Sequence, residues 1–244
     1  MIAETSISRN FQNDVMTISI VGRLGQLDEL EEALKAQNSD IKLKKSETKL
    51  SDDYVQTEKL LQIIAALVTL QLWPKATDMN KVYTYSMKAK CLKDFQDIYK
   101  KAKDPSSEDH HKYKDLYNFY LDIANQALEL YEKWKSHQGF KGTALRSIDR
   151  EKGEIKEVPD GIVFPILASL SVFAKKTNDG WRIVPPSFFS ENELISSAKS
   201  VYMEIAHSNP WNMGKSKACY SALYQITSIY SKLGKLPENL PEGH

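Results

Sequence analysis

Apolar positions recur at helical spacing through most of this chain. Leu27, Leu30, Ala33 and Leu34 mark a short amphipathic helix. Asp40-Ile-Lys-Leu-Lys-Lys45 alternates apolar and basic residues and predicts a half-exposed strand, while Met16, Ile18 and Ile20 alternate as in a short strand or extended arm. From about Asp52 a strong helix follows, its first turn favoured by the acidic Asp52 and Asp53. Leu60, Leu61, Ile63, Ile64, Leu67, Val68 and Leu70 cover so much of its circumference that it belongs inside a core, and Pro74 ends it. A second helix is predicted over about Ser86 to Lys101, stopped by Asp104-Pro105. The third and longest, about Ser107 to His137, carries Tyr117, Tyr120, Leu121, Ala124, Leu128 and Tyr131 as its inner stripe.

Residues 138–158 are polar, with Gly139, Gly142 and Gly153, and read as an exposed loop or a two-stranded excursion. A buried helix is predicted over about Ile162 to Lys175, then a turn at Asn178-Asp179-Gly180 and a brief extended piece at Trp181 before Pro185-Pro186. Ser190-Glu-Asn-Glu193 is a capping box, in which each outer side chain satisfies the other's backbone donor; its helix ends near His207. Asn209-Pro210 breaks the chain, a last helix covers about Gly214 to Leu233, and the tail with Pro237 and Pro241 is expected to fray. The pattern predicts a mainly α, multi-helix, bundle-like domain over 51–236. A small N-terminal β element precedes it in 1–50, and a tail follows at 237–244.

With 244 residues the chain is long enough to bury a core. Lys+Arg 33 against Asp+Glu 32 leaves a net charge of +1, so no global field draws it to nucleic acid or a membrane surface. Two cysteines, Cys91 and Cys219, are too few and too far apart for a disulfide framework or a thiolate metal site, and read as buried thiols in a reducing, cytoplasmic compartment. The N-terminus does not read as a signal peptide, and the apolar stretch from Ile162 to Ala174 is too short to span a bilayer.

Candidate chemistry is thin. Met213-Gly-Lys-Ser216 resembles the end of a phosphate loop, yet Asn209 stands where the motif needs its first glycine, so no backbone cradle forms. His110 and His111 are adjacent on a helix and point about 100° apart, which does not suit one metal ion. Glu47, Asp52 and Asp53 beside Lys44 and Lys45 form only a sketch of a nuclease site. No catalytic residue, metal site or cofactor is expected. The nucleic-acid candidates are basic groups: Lys42, Lys44 and Lys45; Lys88, Lys90 and Lys93; Lys141, Arg146 and Arg150. Of these, Lys44, Lys45, Lys88 and Lys90, with Tyr85 to stack on a base, form the candidate DNA or RNA site. The alternative is a solvated face balanced by nearby acids.

Three blocks resemble the abortive infection phage-resistance family. Asn10-Phe-Gln-Asn-Asp-Val15 is similar to its Asn-x-Gln-Asn-x-Val segment. Lys81-Val-Tyr-Thr-Tyr-Ser-Met-Lys88 through Cys91-Leu-Lys-Asp-Phe95 is similar to its Tyr-Ser-x-Lys…Cys-Leu element. Val158-Pro-Asp-Gly-Ile-Val-Phe-Pro-Ile-Leu167 is similar to its Pro-x-Gly…Pro-Leu segment. The resemblance covers nearly the whole chain but only the C-terminal part of longer members, whose nuclease-like chemistry is expected upstream. It implies a bacterial anti-phage role without residue-level catalytic assignments here. The expectation is a non-catalytic helical domain, acting through self-association, a partner protein domain or phage sensing, with no membrane partner. Its scaffold would be helices 52–72, 107–137 and 162–175; its working surface, the loop 138–158 and the basic turn 80–93. The alternative is a nucleic-acid-binding module or nuclease accessory.

Overall fold

The computed structural model describes residues 25–37, 40–45, 54–69, 72, 85–145, 157–205 and 210–233. The protein is mainly α, with two small two-stranded sheets among the described residues. Two compact units share the chain: Met1–Ala65 with Thr84–Leu128, and Ala66–Tyr83 with Glu129–His244. The expected arm at 16–20, Asp52 and Asp53, Arg146 and Arg150, and the tail lie outside the described residues.

In the first unit, helix α1 (Asp28–Lys35) buries Leu30 and Leu34 and carries Asp28, Glu29 and Glu31 in its first turn, where the helix dipole favours them. Strand β1 (Lys42–Lys44) pairs in parallel with β2 (Tyr54–Gln56), Leu43 opposite Val55. The Glu31 carboxylate accepts the Leu43 N–H at 3.3 Å, and the Thr57 hydroxyl donates to the Lys44 carbonyl at 2.7 Å, so side chains tie this small sheet to the helices on either side. Helix α2 (Thr57–Leu67) then buries Leu60, Leu61, Ile63 and Ile64 completely, as its continuous apolar run requires. Helix α3 (Tyr85–Lys103) packs along α4 (His110–Asp122), with the buried Phe95 ring between Tyr117 at 5.9 Å and Tyr120 at 5.5 Å. The amide of Asn125 donates to the Ala33 carbonyl at 2.8 Å, which fixes α1 against the start of the next helix.

The second unit is organised around α6 (Asp160–Leu170), since α5 (Ala124–Lys135) crosses into it from the first. Gly161 through Leu167 are buried without interruption, so α6 has no solvent face over that span. The Tyr131 hydroxyl donates to Asp160 at 2.8 Å in its first turn. Helices α8 (Pro210–Met213) and α9 (Lys217–Leu233) pack on α6, and α7 (Glu191–Ile205) packs on α9. Thr227 of α9 donates its hydroxyl to the Ser169 carbonyl at 2.7 Å, a fully buried bond that registers the two helices. A 3-10 turn (Ser171–Phe173) leads from α6 into the antiparallel hairpin β3 (Ala174–Thr177) and β4 (Gly180–Ile183).

Four expectations change. The helix predicted from Asp52 starts at Thr57, because residues 54–56 pair with β1, a non-local contact that helical spacing does not carry. The long helix 107–137 is two helices, divided at the buried Ile123, whose N–H turns back to Phe119 and Leu121; neither glycine nor proline signals this break. Helix 162–175 stops at Leu170, where the Ser169 and Ser171 hydroxyls satisfy the Ile166 and Ala168 carbonyls at 2.7 Å each. Part of the loop expected at 138–158 is a 3-10 turn, Gln138–Phe140, with Phe140 fully buried. Among the described residues, no helix is long and apolar enough to cross a membrane.

Phe95→Ala removes a ring enclosed on all sides and is expected to cost about 3–5 kcal/mol of stability in denaturant titration. A loss under about 1 kcal/mol would mean that α3 and α4 do not share one core.

Candidate binding groove

The five sequence candidates for nucleic-acid contact lie on two elements of the first unit. Lys44 and Lys45 end β1, and Tyr85, Lys88 and Lys90 occupy the first turns of α3. Lys45 is committed: its ammonium lies 2.5 Å from both Asp28 and Glu31. Burial works to lower its pKa, but these two carboxylates outweigh it and raise the value. Glu31 shows the converse. Partial burial pushes it up, yet Lys45, the Leu43 N–H and Lys35 hold it below the usual carboxylate range. Lys90 pairs with Asp94 at 2.8 Å, one turn along its own helix. Two of the four candidate lysines thus serve local carboxylates, on separate elements. Neighbouring Lys103 likewise bridges to Glu29 at 2.6 Å.

The exposed large apolar side chains among the described residues tell a different story. Val184, Phe188, Met203, Ile205, Ile229 and Leu233 all belong to the second unit. Val184, Phe188, Ile229 and Leu233 fall in the segment after β4 or the last turns of α9. There the sequence builds a groove of about 450 Å³ between the hairpin and the end of α9. A volume of that size suits a side chain or a small ligand.

Each wall has a local cause. The turn after β3 is closed by Thr177, whose hydroxyl donates to the Gly180 carbonyl at 2.8 Å and accepts the Asp179 N–H at 3.3 Å. Gly180 has φ +102°, a conformation that side chains resist. Alternation along β4 then buries Trp181 and Ile183 and turns Arg182 to the other face. The Val184 N–H bonds to the Phe173 carbonyl at 3.0 Å, so the chain leaves the hairpin beside its own start. Pro185 and Pro186 end the pairing, and Phe189 turns back through its N–H to Pro186 at 2.9 Å. This places Phe189 edge-on to both Phe173 and Tyr230, each at 5.2 Å, while Phe188 stacks on Tyr230 at 6.0 Å and stays half exposed.

Tyr230 is held by Glu193. Its hydroxyl donates to that carboxylate, and the bond raises its pKa, so it remains a protonated phenol. The expected capping box is therefore half present: the Ser190 hydroxyl accepts the Glu193 N–H at 3.3 Å, but the Glu193 carboxylate serves Tyr230. A second polar cluster supports the start of α7. His137 accepts the Gly139 N–H on Nδ1 at 3.0 Å, so its Nε2 carries the proton donated to Glu191 at 3.0 Å. Lys133 bonds the same carboxylate, and Trp134 stacks on the His137 ring at 4.8 Å.

These groups are set for binding and stability more than for proton transfer. Glu31 and Glu191 are held as anions, and burial raises the Cys91 and Cys219 thiols to about 12, far from thiolate reactivity. Among the described residues no cluster of three metal-ligating side chains occurs. The groove itself escaped the sequence reading, because its walls come from residues 172–186 and 230–231. Its one local signal was the pair Phe188-Phe189 just after a double proline, where aromatic residues have no helix or strand to bury them.

Comparison with known proteins finds no family model, curated protein or solved structure that matches this chain.

Partial burial raises the Glu191 pKa, but its bonds to Lys133 and His137 outweigh that and leave it below the usual 4.5. A depressed carboxylate contributes stability above its unfolded pKa and loses it as pH falls through the folded one. The stability difference between the protein and Glu191→Gln is thus expected at neutral pH and should close as pH falls below the usual carboxylate range, read by denaturant titration across pH. A difference that persists down to about pH 2 would remove the ion pair from the account.

Proposed function

We propose that this chain is a non-catalytic helical domain of a bacterial, cytoplasmic anti-phage protein of the abortive-infection type, and that it works by binding a partner protein through the groove face of its second unit. The observation that carries the reading is the concentration of exposed apolar side chains around that groove. Val184 is 41% exposed, Phe188 50% and Leu233 45%, and Leu233 stands three residues beyond Tyr230 on the same side of α9. Soluble proteins rarely leave such a patch uncovered without a partner for it.

The anti-phage assignment draws on the family resemblance, and two of its blocks coincide with core elements. Cys91, Leu92 and Phe95 of the α3 block are buried, as is nearly all of Val158–Leu167, which leads into α6 and carries most of it. Such residues specify a fold and leave the working surface to other positions. The basic candidates on β1 and α3 are the weaker surface, because Lys45 and Lys90 already hold carboxylates.

The test is phage plating on the natural host carrying the gene intact, deleted, or with Val184→Asp and Phe188→Asp together. Deletion is expected to raise plating of at least one phage, and the double variant to do the same while its circular dichroism stays native. If deletion changes no phage, the anti-phage role is lost; if the folded double variant protects fully, the groove face is not the working surface.

A further inference from the structure

The 3-10 turn Gln138–Phe140 is capped by a single imidazole. Nδ1 of His137 accepts the Gly139 N–H at 3.0 Å, and Nε2 donates to Glu191 on α7 at 3.0 Å. A neutral ring has one donor and one acceptor, so both of its nitrogens are spent. Trp134 stacks on the ring at 4.8 Å and Phe140 meets it edge-on at 6.1 Å, which holds it in place. The side chain is nevertheless 17% exposed, enough for water to deliver a proton. Gly139 fits closely between this ring and α7: a Cβ there would collide with Ile195 and stand 3.1 Å from Nδ1. The turn so held carries the fully buried Phe140.

We propose that His137 is a proton-operated latch on this turn. The neutral ring holds the Gly139 N–H and seats the turn against α7. A proton on Nδ1 ends that bond, because two donors then face each other, and the turn loosens from α7. Nε2 keeps its own hydrogen throughout, so the bond to Glu191 survives and becomes an ion pair. The same proton thus uncaps the turn and strengthens the ring's anchor. Two charged groups bear on the ring among the described residues. Glu191, from α7, favours the proton, and Lys133, from α5, opposes it across the carboxylate they share. Glu193, the next carboxylate of α7, is held by Tyr230, and Gln138, Gly139 and Phe140 bring no charge. Acidification is therefore the signal, imidazole being the side chain suited to read it.

The test is nuclear magnetic resonance on the isotope-labelled full chain between about pH 5 and 8. Glu191, held below the usual 4.5, stays an anion across that range. The His137 ring is identified by its contacts with the Trp134 protons, and its two nitrogen shifts report which of them carries hydrogen. Nδ1 is expected bare at the upper end and protonated at the lower. Protection of the Gly139 amide from hydrogen exchange should fall about tenfold through the same titration, the effect of one lost hydrogen bond. The contact between Gly139 and the Ile195 methyl group should fade with it. His137→Asn sets an acceptor oxygen where Nδ1 stands and cannot titrate, so in that variant the protection should no longer follow pH. A neutral ring that carries its hydrogen on Nδ1 would overturn the latch, as would Gly139 protection that stays level while the ring titrates. So would a folded His137→Asn protein whose Gly139 amide keeps the pH response, which would put the proton elsewhere. The ring and amide readings come from the unaltered protein, so they decide the matter even where the variant does not fold.

Discussion

A helix apolar on every face can be stable only where other elements enclose it, and α6 imposes that condition on the second unit. Gly161 through Leu167 leave no side of the helix for water. Helices α8 and α9 and the 3-10 turn therefore close over it, and the buried Thr227–Ser169 bond fixes where α9 lies along it. Enclosure also decides how α6 must end. Its last carbonyls cannot reach water, so Ser169 and Ser171 satisfy two of them from within, and the chain leaves as a 3-10 turn. That exit starts β3 beside α9, and the groove is the space between them.

The first unit depends in the same way on a carboxylate. Glu31 caps the Leu43 N–H of β1 and draws in Lys35 and Lys45, so one side chain satisfies a strand and neutralises the cations around it. Exposed pairs of this kind add little stability individually. Their effect is on specificity: they fix α1 against β1 and hold Lys45 away from other anions. A lysine-rich sequence can in this way produce a surface with little field, in keeping with a net charge of +1.

What the sequence disclosed follows from the range of the interaction concerned. Local signals held: the amphipathic stripe of α1, the stop at Asp104-Pro105, the turn at Asn178-Asp179-Gly180 and the Ser190 half of the capping box all appear in the structure. Buried Cys91 and Cys219 were legible from their type alone. Non-local effects were not. The β1–β2 pairing, the break at Ile123 and the capture of Glu193 by Tyr230 each depend on a partner distant in the chain or on packing without a glycine or proline to announce it. The groove combines residues more than forty positions apart, from Phe173 to Tyr230, and so could not be read from spacing.

The two basic regions show why a lysine count is a poor guide to a binding surface. Lys44 with Lys45 and Lys88 with Lys90 looked like the stronger group because they fall in short basic runs, the second with Tyr85 beside it. Folding sets acids next to Lys45 and Lys90, since α1 opens with three acidic residues for its dipole and α3 places Asp94 one turn after Lys90. Lys175 and Arg182 drew no attention, as they lie seven positions apart in an apolar stretch. The hairpin register puts them side by side, a neighbourhood that spacing along the chain does not show. Which cations become neighbours is therefore decided by strand register and helix spacing, and not by how many of them stand close together in the chain.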